Sequence, residues 1–508
     1  MELSKLTNSF LNLIGAEKDN LFESIGNILF SERKNDILSA YVELVGGDLL
    51  TDNLQKIFQY HYADRKEKCQ DYTPKSIAKL CAAQTRTNCD TVYDLCAGSG
   101  ALTIQKWVEN KAKTFICEEL DDRVIPILLF NLAVRNISGY VINRNALTLE
   151  IVKCYRLISG ENFSDISVIN NVPDIVADEV VSNPPYNIKW EAPAPLLADE
   201  RFQGKPIPPS SNANFAFVLT ALSRMKQDGR CAFVLPNGVL SSDVEKDMRE
   251  HLINSGMIER VITLPDKMFE ATSIPTCIIV FSASNKTVKF YDCRRKAVQE
   301  QRDQNGQFGG ASHENRTYHK TVNILPDDVI ESVCGECEDI AEFSREVNTE
   351  EIAEKEYILV PSRYIKFERR EAQHRPYEDI MADINRISRE RSVIKITCNE
   401  TLAKSLKLDK LVSQEEKASD IDLNKTFEIL GGKYESRRYI TLSKNKNEFK
   451  IENQDKEILS NIINFFLLMW EQHISYLNSE ENRLLAELRD AMLPDLMSGK
   501  IDVSDMNI

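Results

Sequence analysis

Over the first 68 residues apolar side chains recur at helical spacing: Leu11, Ile14, Leu21, Ile25, Ile28, Leu29, then Leu54, Ile57 and Phe58. No β-branched alternation interrupts them, so the pattern predicts a small helical domain over 1–68. From about residue 90 to 281 the texture changes. Short apolar runs, "TVYDL", "TFICEEL", "YVINRNAL", "EVVSNPPY", "RCAFVLP", "RVITLP" and "CIIVFS", alternate with helical stretches. That alternation predicts an α/β domain with a mostly parallel sheet and helices on both faces. The Pro-rich stretch from Ala192 to Ser211 and the polar stretch 301–315 read as loops. Beyond about residue 366 the chain turns charged and helical, with one long helix expected from Glu457 to Met492. The expected division is therefore 1–68, 69–365 and 366–508, with no internal repeat.

Composition narrows this. A chain of 508 residues has room for about three domains. Its 63 basic and 78 acidic residues leave a net charge of −15, which argues against sequence-blind polyanion binding but allows a local basic cleft or a basic partner. Twelve scattered cysteines suggest reduced thiols, and the single Cys-x-x-Cys, Cys334 and Cys337, lacks the further ligands of a zinc site, so no metal is expected. The N-terminal "MELSKLTNSF" has no apolar core for a secretory signal, and runs such as "VIPILLF" and "FFLLMW" are too short to span a bilayer. These features predict a soluble, cytoplasmic protein without a membrane partner.

Two strand ends carry the candidate chemistry. In "VYDLCAGSGALTI" a strand ending near Asp94 leads through Gly98 and Gly100 into a helix, so the backbone can approach a ligand closely and N–H groups point at it. Thr103 stands where a dinucleotide fingerprint has its third glycine. Glu119 ends the next strand, 25 residues after Asp94, where a carboxylate can accept both hydroxyls of a ribose. A nucleoside without a demanding pyrophosphate fits this description, which suits S-adenosylmethionine. The second end is "EVVSNPPYNIKW". Pro184 and Pro185 lack the N–H that a strand ladder needs, so the strand through Val180 and Val181 must stop with Asn183 at its tip.

"DLCAGSG" followed by "NPPY" resembles the amino-methyltransferases. "QDYTP" (Gln70 to Pro74) is similar to the segment that covers the methionine end of the cofactor in DNA adenine methyltransferases. "NANFAFVLTALSRMKQDGRCAFVLPNGVL", "IERVITLPDKMFEATSIPTCIIVF" and "EEIAEKEYILVPSRYI" then resemble, in order, the modification subunit of type I restriction-modification systems, over roughly residues 50–365. The resemblance implies a Rossmann-like class I methyltransferase domain flanked by the two helical regions. It implies an adenine-specific DNA methyltransferase that moves a methyl group from S-adenosyl-L-methionine to the N6 amine of an adenine flipped out of a specific DNA sequence. Cofactor contacts are implied at Gln70, Tyr72, Thr73, Pro74, Asp94, Cys96, Ala97, Gly98, Ser99, Gly100 and Glu119. The family often has an acidic residue after its third strand, touching the cofactor's adenine; here "INRNALT" offers Asn145 instead.

At the catalytic loop, the Asn183 side-chain oxygen and the Pro184 carbonyl would take the two hydrogens of the adenine amine, with Pro185 stiffening the loop. The nitrogen lone pair then turns toward the methyl group, by preorganisation and not by acid–base work. Tyr186 would stack on a flipped base, and the resemblance adds Phe269 as a second aromatic face. Expected partners are double-stranded DNA, a DNA specificity subunit and a restriction subunit. The tail "LRDAMLPDLMSGKIDV" looks like the end of type I specificity subunits. The apolar set Ile458, Ile462, Phe465, Phe466, Met469, Ile474, Leu477, Leu484 and Leu488 is denser than one packing face needs, which suggests docking in a helical bundle. Other readings stay open at this point: a solitary adenine DNA methyltransferase with its own target-reading region, a protein-glutamine or ribosomal RNA adenine methyltransferase, or a non-catalytic scaffold.

Overall fold

The computed structural model describes residues 3–55, 57, 73–85, 89–110, 112–190, 198–269, 274–305, 317–335, 338–367, 375–396, 440–442, 449–451 and 475–497. The chain divides into two compact units, 1–368 and 369–508.

In the first unit the strands run β1 Thr91–Asp94, β2 Thr114–Glu119, β3 Gly139–Arg144, β4 Ile151–Ile158, β5 Asp165–Ile169, β6 Ala177–Ser182, β7 Met225–Pro236, β8 Ile258–Thr263, β9 Thr276–Phe281, β10 Thr287–Asp292, β11 Val298–Asn305, β12 Thr317–Ile324 and β13 Ser344–Asn348. One sheet has the order β13-β10-β8-β9-β7-β6-β1-β2-β3-β4-β5. Its centre, β3-β2-β1-β6-β7, is parallel throughout. β9 enters antiparallel between β7 and β8, and β4, β5 and β13 extend the edges antiparallel. The α/β expectation therefore holds at the centre, while the sheet as a whole is mixed. The seven apolar runs noted above are all strands here. The added edge strands escape the reading because their apolar residues do not follow burial: Val152 and Ile158 of β4 and Val168 of β5 are exposed. β11 and β12 pair as a separate hairpin, so residues 301–305, expected in a loop, are strand.

The central strands are apolar on both faces because helices cover both. On one side lie α1 Leu3–Ile14, α2 Leu21–Leu29 and α3 Lys34–Leu44, then α4 Lys75–Ala83, α5 Ala101–Glu109 and α6 Ile125–Val134. Every residue of α6 except Pro126 is buried, which is why "IPILLFNLAV" shows no polar face; the proline falls in the first turn, where no helical N–H is lost. Phe130 of α6 meets Phe10 and Tyr41 edge to face, with ring centroids 5.6 and 5.0 Å away. The N-terminal helices thus share a core with the sheet's helical layer.

The second unit contains a β-hairpin (Ile440–Leu442 with Phe449–Ile451) and two helices, Tyr377–Ile396 and Ser475–Met497. The helices pair antiparallel: the Tyr377 hydroxyl donates to the Ala491 carbonyl, and at the other end Arg391 pairs with Glu481. Their buried residues, Ile380 and Ile387 against Leu477, Leu484 and Ala491, recur every seven positions, the seam of a coiled coil. The long helix expected from Glu457 is described from Ser475 onward, where only a narrow seam is buried; Ile458 to Ile474 lie outside the described residues. Truncating a phenylalanine in a close-packed aromatic cluster leaves a cavity, so Phe130→Ala should cost about 3–5 kcal/mol, read as a lower urea midpoint at unchanged slope. A loss below about 1 kcal/mol would show that the N-terminal helices are not held through this contact.

Candidate active site

Parallel pairing sets Asp94 at the tip of β1 opposite Val181 of β6, and the chain leaves β1 toward β2 and β3 but returns on the other side to β6. Open α/β sheets form their ligand crevice at such a reversal, beyond the C-terminal ends of the strands. Both expected motifs are there. After β1 the chain turns through Gly98 and Gly100 with φ of +55° and +97°, and Gly100 caps α5. At Gly100 a side chain would be strained and would meet the Leu128 methyl at 3.0 Å.

Charged groups line this turn. Asp94 is buried; one carboxylate oxygen accepts from the Thr103 hydroxyl (2.8 Å), and the other has no hydrogen-bond partner among the described residues. Burial pushes its pKa up from 3.8 to about 7, against the Thr103 bond. Thr103 therefore has a defined task where a dinucleotide motif has glycine. Glu119, at the tip of β2, accepts from the Gly98 N–H (2.9 Å) and the Asp121 N–H (2.7 Å), one with each oxygen. Burial raises its pKa while these two bonds oppose the shift. Each oxygen keeps a second lone pair, so Glu119 braces the glycine turn and can still accept from a ligand. Asn143 on β3 ties down the backbone after it by donating to the Glu119 and Leu120 carbonyls.

The Asn-Pro-Pro-Tyr loop begins where β6 ends. Asn183 donates to the Thr73 hydroxyl oxygen (2.8 Å) and accepts from the Tyr186 hydroxyl (2.6 Å). Tyr186 meets Phe269 edge to face at 6.1 Å, and Phe269 is itself almost fully buried. Thr73, Asn183, Tyr186 and Phe269 are thus brought together from separate stretches of chain. Pro184 is buried, Pro185 is half-buried, and Pro74 caps α4. Gln70 and Tyr72 lie outside the described residues, as does Cys337; the Cys334 sulfur accepts from the Gln84 amide.

Asn145 fares differently. Its side-chain oxygen accepts from the Leu147 and Thr148 N–H groups, which uses both lone pairs to close its own turn. Accepting a further donor from an adenine would break one of these bonds. The pattern also hid Asp52, Asn131 and Arg135, a buried polar group behind Ser99. The one signal for it was an asparagine inside the otherwise apolar "IPILLFNLAV".

The sequence pattern of the family described as N-6 DNA methylase matches residues 46–373. The chain belongs to that family. It is 29% identical over 316 residues to the type I restriction enzyme MpnII methylase subunit of Mycoplasma pneumoniae, covering 58% of this chain and 53% of that one. To the HindI methylase subunit of Haemophilus influenzae it is 25% identical over 358 residues, 67% of this chain and 74% of that one. The chain thus spans about half the length of the first relative. The crystal structure of the type I restriction-modification methyltransferase subunit of Streptococcus thermophilus superposes with a TM-score of 0.50 at 24% identity, over 72% of this chain and 80% of that one. The mixed sheet with its parallel centre is the fold this chain shares with that structure. Among the described residues no helix is long and apolar enough to cross a membrane.

The raised pKa of Asp94 has a signed consequence. Between about pH 4 and pH 7 the folded family domain holds a proton that the unfolded chain has released, so stability falls as pH rises through that window and the full cost is present above about 7. Asp94→Asn should remove this slope. Relative to the parent, the variant should gain on the order of 4 kcal/mol between pH 4 and pH 8 in urea denaturation. Parallel stability–pH curves would show that Asp94 is not a buried carboxyl.

Proposed function

We propose that this chain is an adenine-specific DNA methyltransferase that uses S-adenosylmethionine and acts as the modification subunit of a type I restriction-modification system. The observation that carries the reading is the β1–β6 pairing, which sets the glycine turn beside the Asn183 loop, a nucleoside cradle next to an amine clamp. The family pattern, one of DNA methylases, favours DNA over the RNA and protein-glutamine substrates that Asn-Pro-Pro-Tyr alone leaves open.

The residues present fit the cofactor. The unpartnered Asp94 oxygen is an acceptor for a cationic amino group, the open lone pairs of Glu119 suit ribose hydroxyls, and Gly98 and Gly100 leave room for close approach. Cys96, Ala97, Ser99, Thr73 and Pro74 complete the turn and its cover. When bound, the cofactor supplies an electrophilic methyl group on a sulfonium. Asn183 and Pro184 hold the two hydrogens of the N6 amine, so the lone pair is no longer spread into the ring. The Thr73 bond keeps the Asn183 oxygen turned toward Tyr186, and that oxygen has one lone pair left for the amine. Tyr186, with Phe269 behind it, offers a ring for an extruded base. No group needs to gain or lose a proton before the transfer.

An acidic chain with net charge −15 needs help to hold and read DNA. The paired helices of the second unit suit docking with a specificity subunit, and a restriction subunit would join through the same complex. Met381 and Leu485, both large and exposed on these helices, are positions such a partner would cover.

Three experiments test this. Asn183→Ala should lower tritium transfer to DNA by at least about 10²-fold with a far smaller loss of cofactor affinity, since Asn183 holds the amine directly and reaches the cofactor's cover only through Thr73. Glu119→Ala should weaken cofactor binding first, by about 1.5–3 kcal/mol in calorimetry. Wild-type turnover in the first variant would sink the mechanism. Separately, deleting residues 455–508 should leave cofactor binding intact but abolish sequence-specific methylation and co-purification of the specificity subunit. A truncated chain that still methylates the same sites would remove the docking role.

A further inference from the structure

We infer that Asp52 and Gln55 are positioning residues, a hydrogen-bonded strut that ties the glycine turn to the Asn183 loop through the segment after α3. The segment is seized from both sides. Arg135, buried after the last turn of α6, donates to the Leu49 and Thr51 carbonyls at 2.8 Å each, and Gln105 of α5 donates to the Leu50 carbonyl at 2.7 Å. Three consecutive carbonyls are thus held by the helices that follow β1 and β2.

Asp52 comes next and is buried with a carboxyl whose pKa burial raises, opposed by its hydrogen bonds and by Arg135. One oxygen accepts from the Ser99 hydroxyl at 2.6 Å; the other accepts from the Asn131 amide and the Gln55 N–H, both at 2.9 Å. Asn131 also donates to the Ser99 carbonyl at 2.9 Å, so the residue between the two glycines is fixed at both its side chain and its backbone. The Gln55 side chain then donates to the Thr73 carbonyl (3.2 Å), and the Thr73 hydroxyl accepts from Asn183. Ser99, Asp52, Gln55, Thr73 and Asn183 form one continuous path from the cofactor turn to the amine clamp.

Burying a carboxylate is costly unless its bonds are worth it, and an apolar residue would close a helix–sheet contact as well. What the carboxylate adds is several simultaneous acceptor bonds at fixed angles on three elements. Such geometry sets where Ser99 and Thr73 stand relative to each other, a distance to which in-line methyl transfer is sensitive. Cofactor affinity is set mainly at the Asp52 end, and alignment of the clamp at the Gln55 end.

The inference rests on the methyltransferase reading for its kinetic arm but not for its structural arm. In the full chain, purified with the partners it carries, Gln55→Met removes the link to Thr73 and leaves Asp52 in place. Expected are an unshifted melting temperature, unchanged cofactor affinity, faster hydrogen exchange in the peptide around Asn183, and a kcat lowered roughly tenfold at unchanged KM for DNA. Asp52→Ala should weaken cofactor binding and loosen exchange around both Ser99 and Asn183; Asp52→Asn, which keeps the shape and can still bond, should restore most of both. Exchange and kcat at wild-type values in Gln55→Met would overturn the strut. If the parent protein transfers no methyl group to DNA, the proposed function fails, and hydrogen exchange around Asn183 still decides for or against the strut.

Discussion

The pairing of β1 with β6 is the constraint from which the site follows. Parallel neighbours lie about 4.8 Å apart, so with Asp94 opposite Val181 the two segments that leave these strands must start side by side. One is free to turn because glycines allow positive φ, and the other must turn because two prolines cannot continue a ladder. The parallel ladder itself supplies that closeness for the two turns.

Carboxylates do much of the remaining work, each in a different way. Glu119 is bonded to backbone N–H groups and braces a turn, Asp52 is bonded to the Ser99 and Asn131 side chains and the Gln55 N–H, and Asp94 keeps one oxygen unpartnered. Glu118, next to Glu119 but facing the opposite side of the sheet, is fully buried between Arg144 and Arg224. Removing Glu118 would leave two arginines in the interior without their carboxylate, which is far more costly than the pairing itself is stabilising. The alternation of strand side chains thus sends neighbouring glutamates to two tasks, one at the ligand crevice and one in the far layer.

The second unit follows a different logic. Its described helices bury one line of residues at seven-residue spacing and carry ion pairs along the flanks, Arg391 with Glu481 and Arg375 with Glu487. A seam this narrow leaves most of each helix surface for another purpose, whereas the helices of the first unit are used up by the sheet.

The sequence by itself determined the central strands, because a strand buried on both faces is written as a short continuous apolar run, and it determined both turns, because glycine and proline restrict the backbone locally. Asn183 and Tyr186 on one side, and Gly98, Gly100 and Glu119 on the other, stand at the two strand ends where the sequence puts them. The edge strands β4, β5 and β13 were not legible, since half-exposed strands carry a weak pattern. Nor could the sequence say that Asn145 uses its oxygen on its own turn, or that Thr73 and Phe269 meet at Asn183 and Tyr186. Only the tertiary structure decided these, together with the place of Asp52. Hydrogen bonds between residues tens of positions apart depend on where the sheet and its helices bring them, and no local periodicity records that.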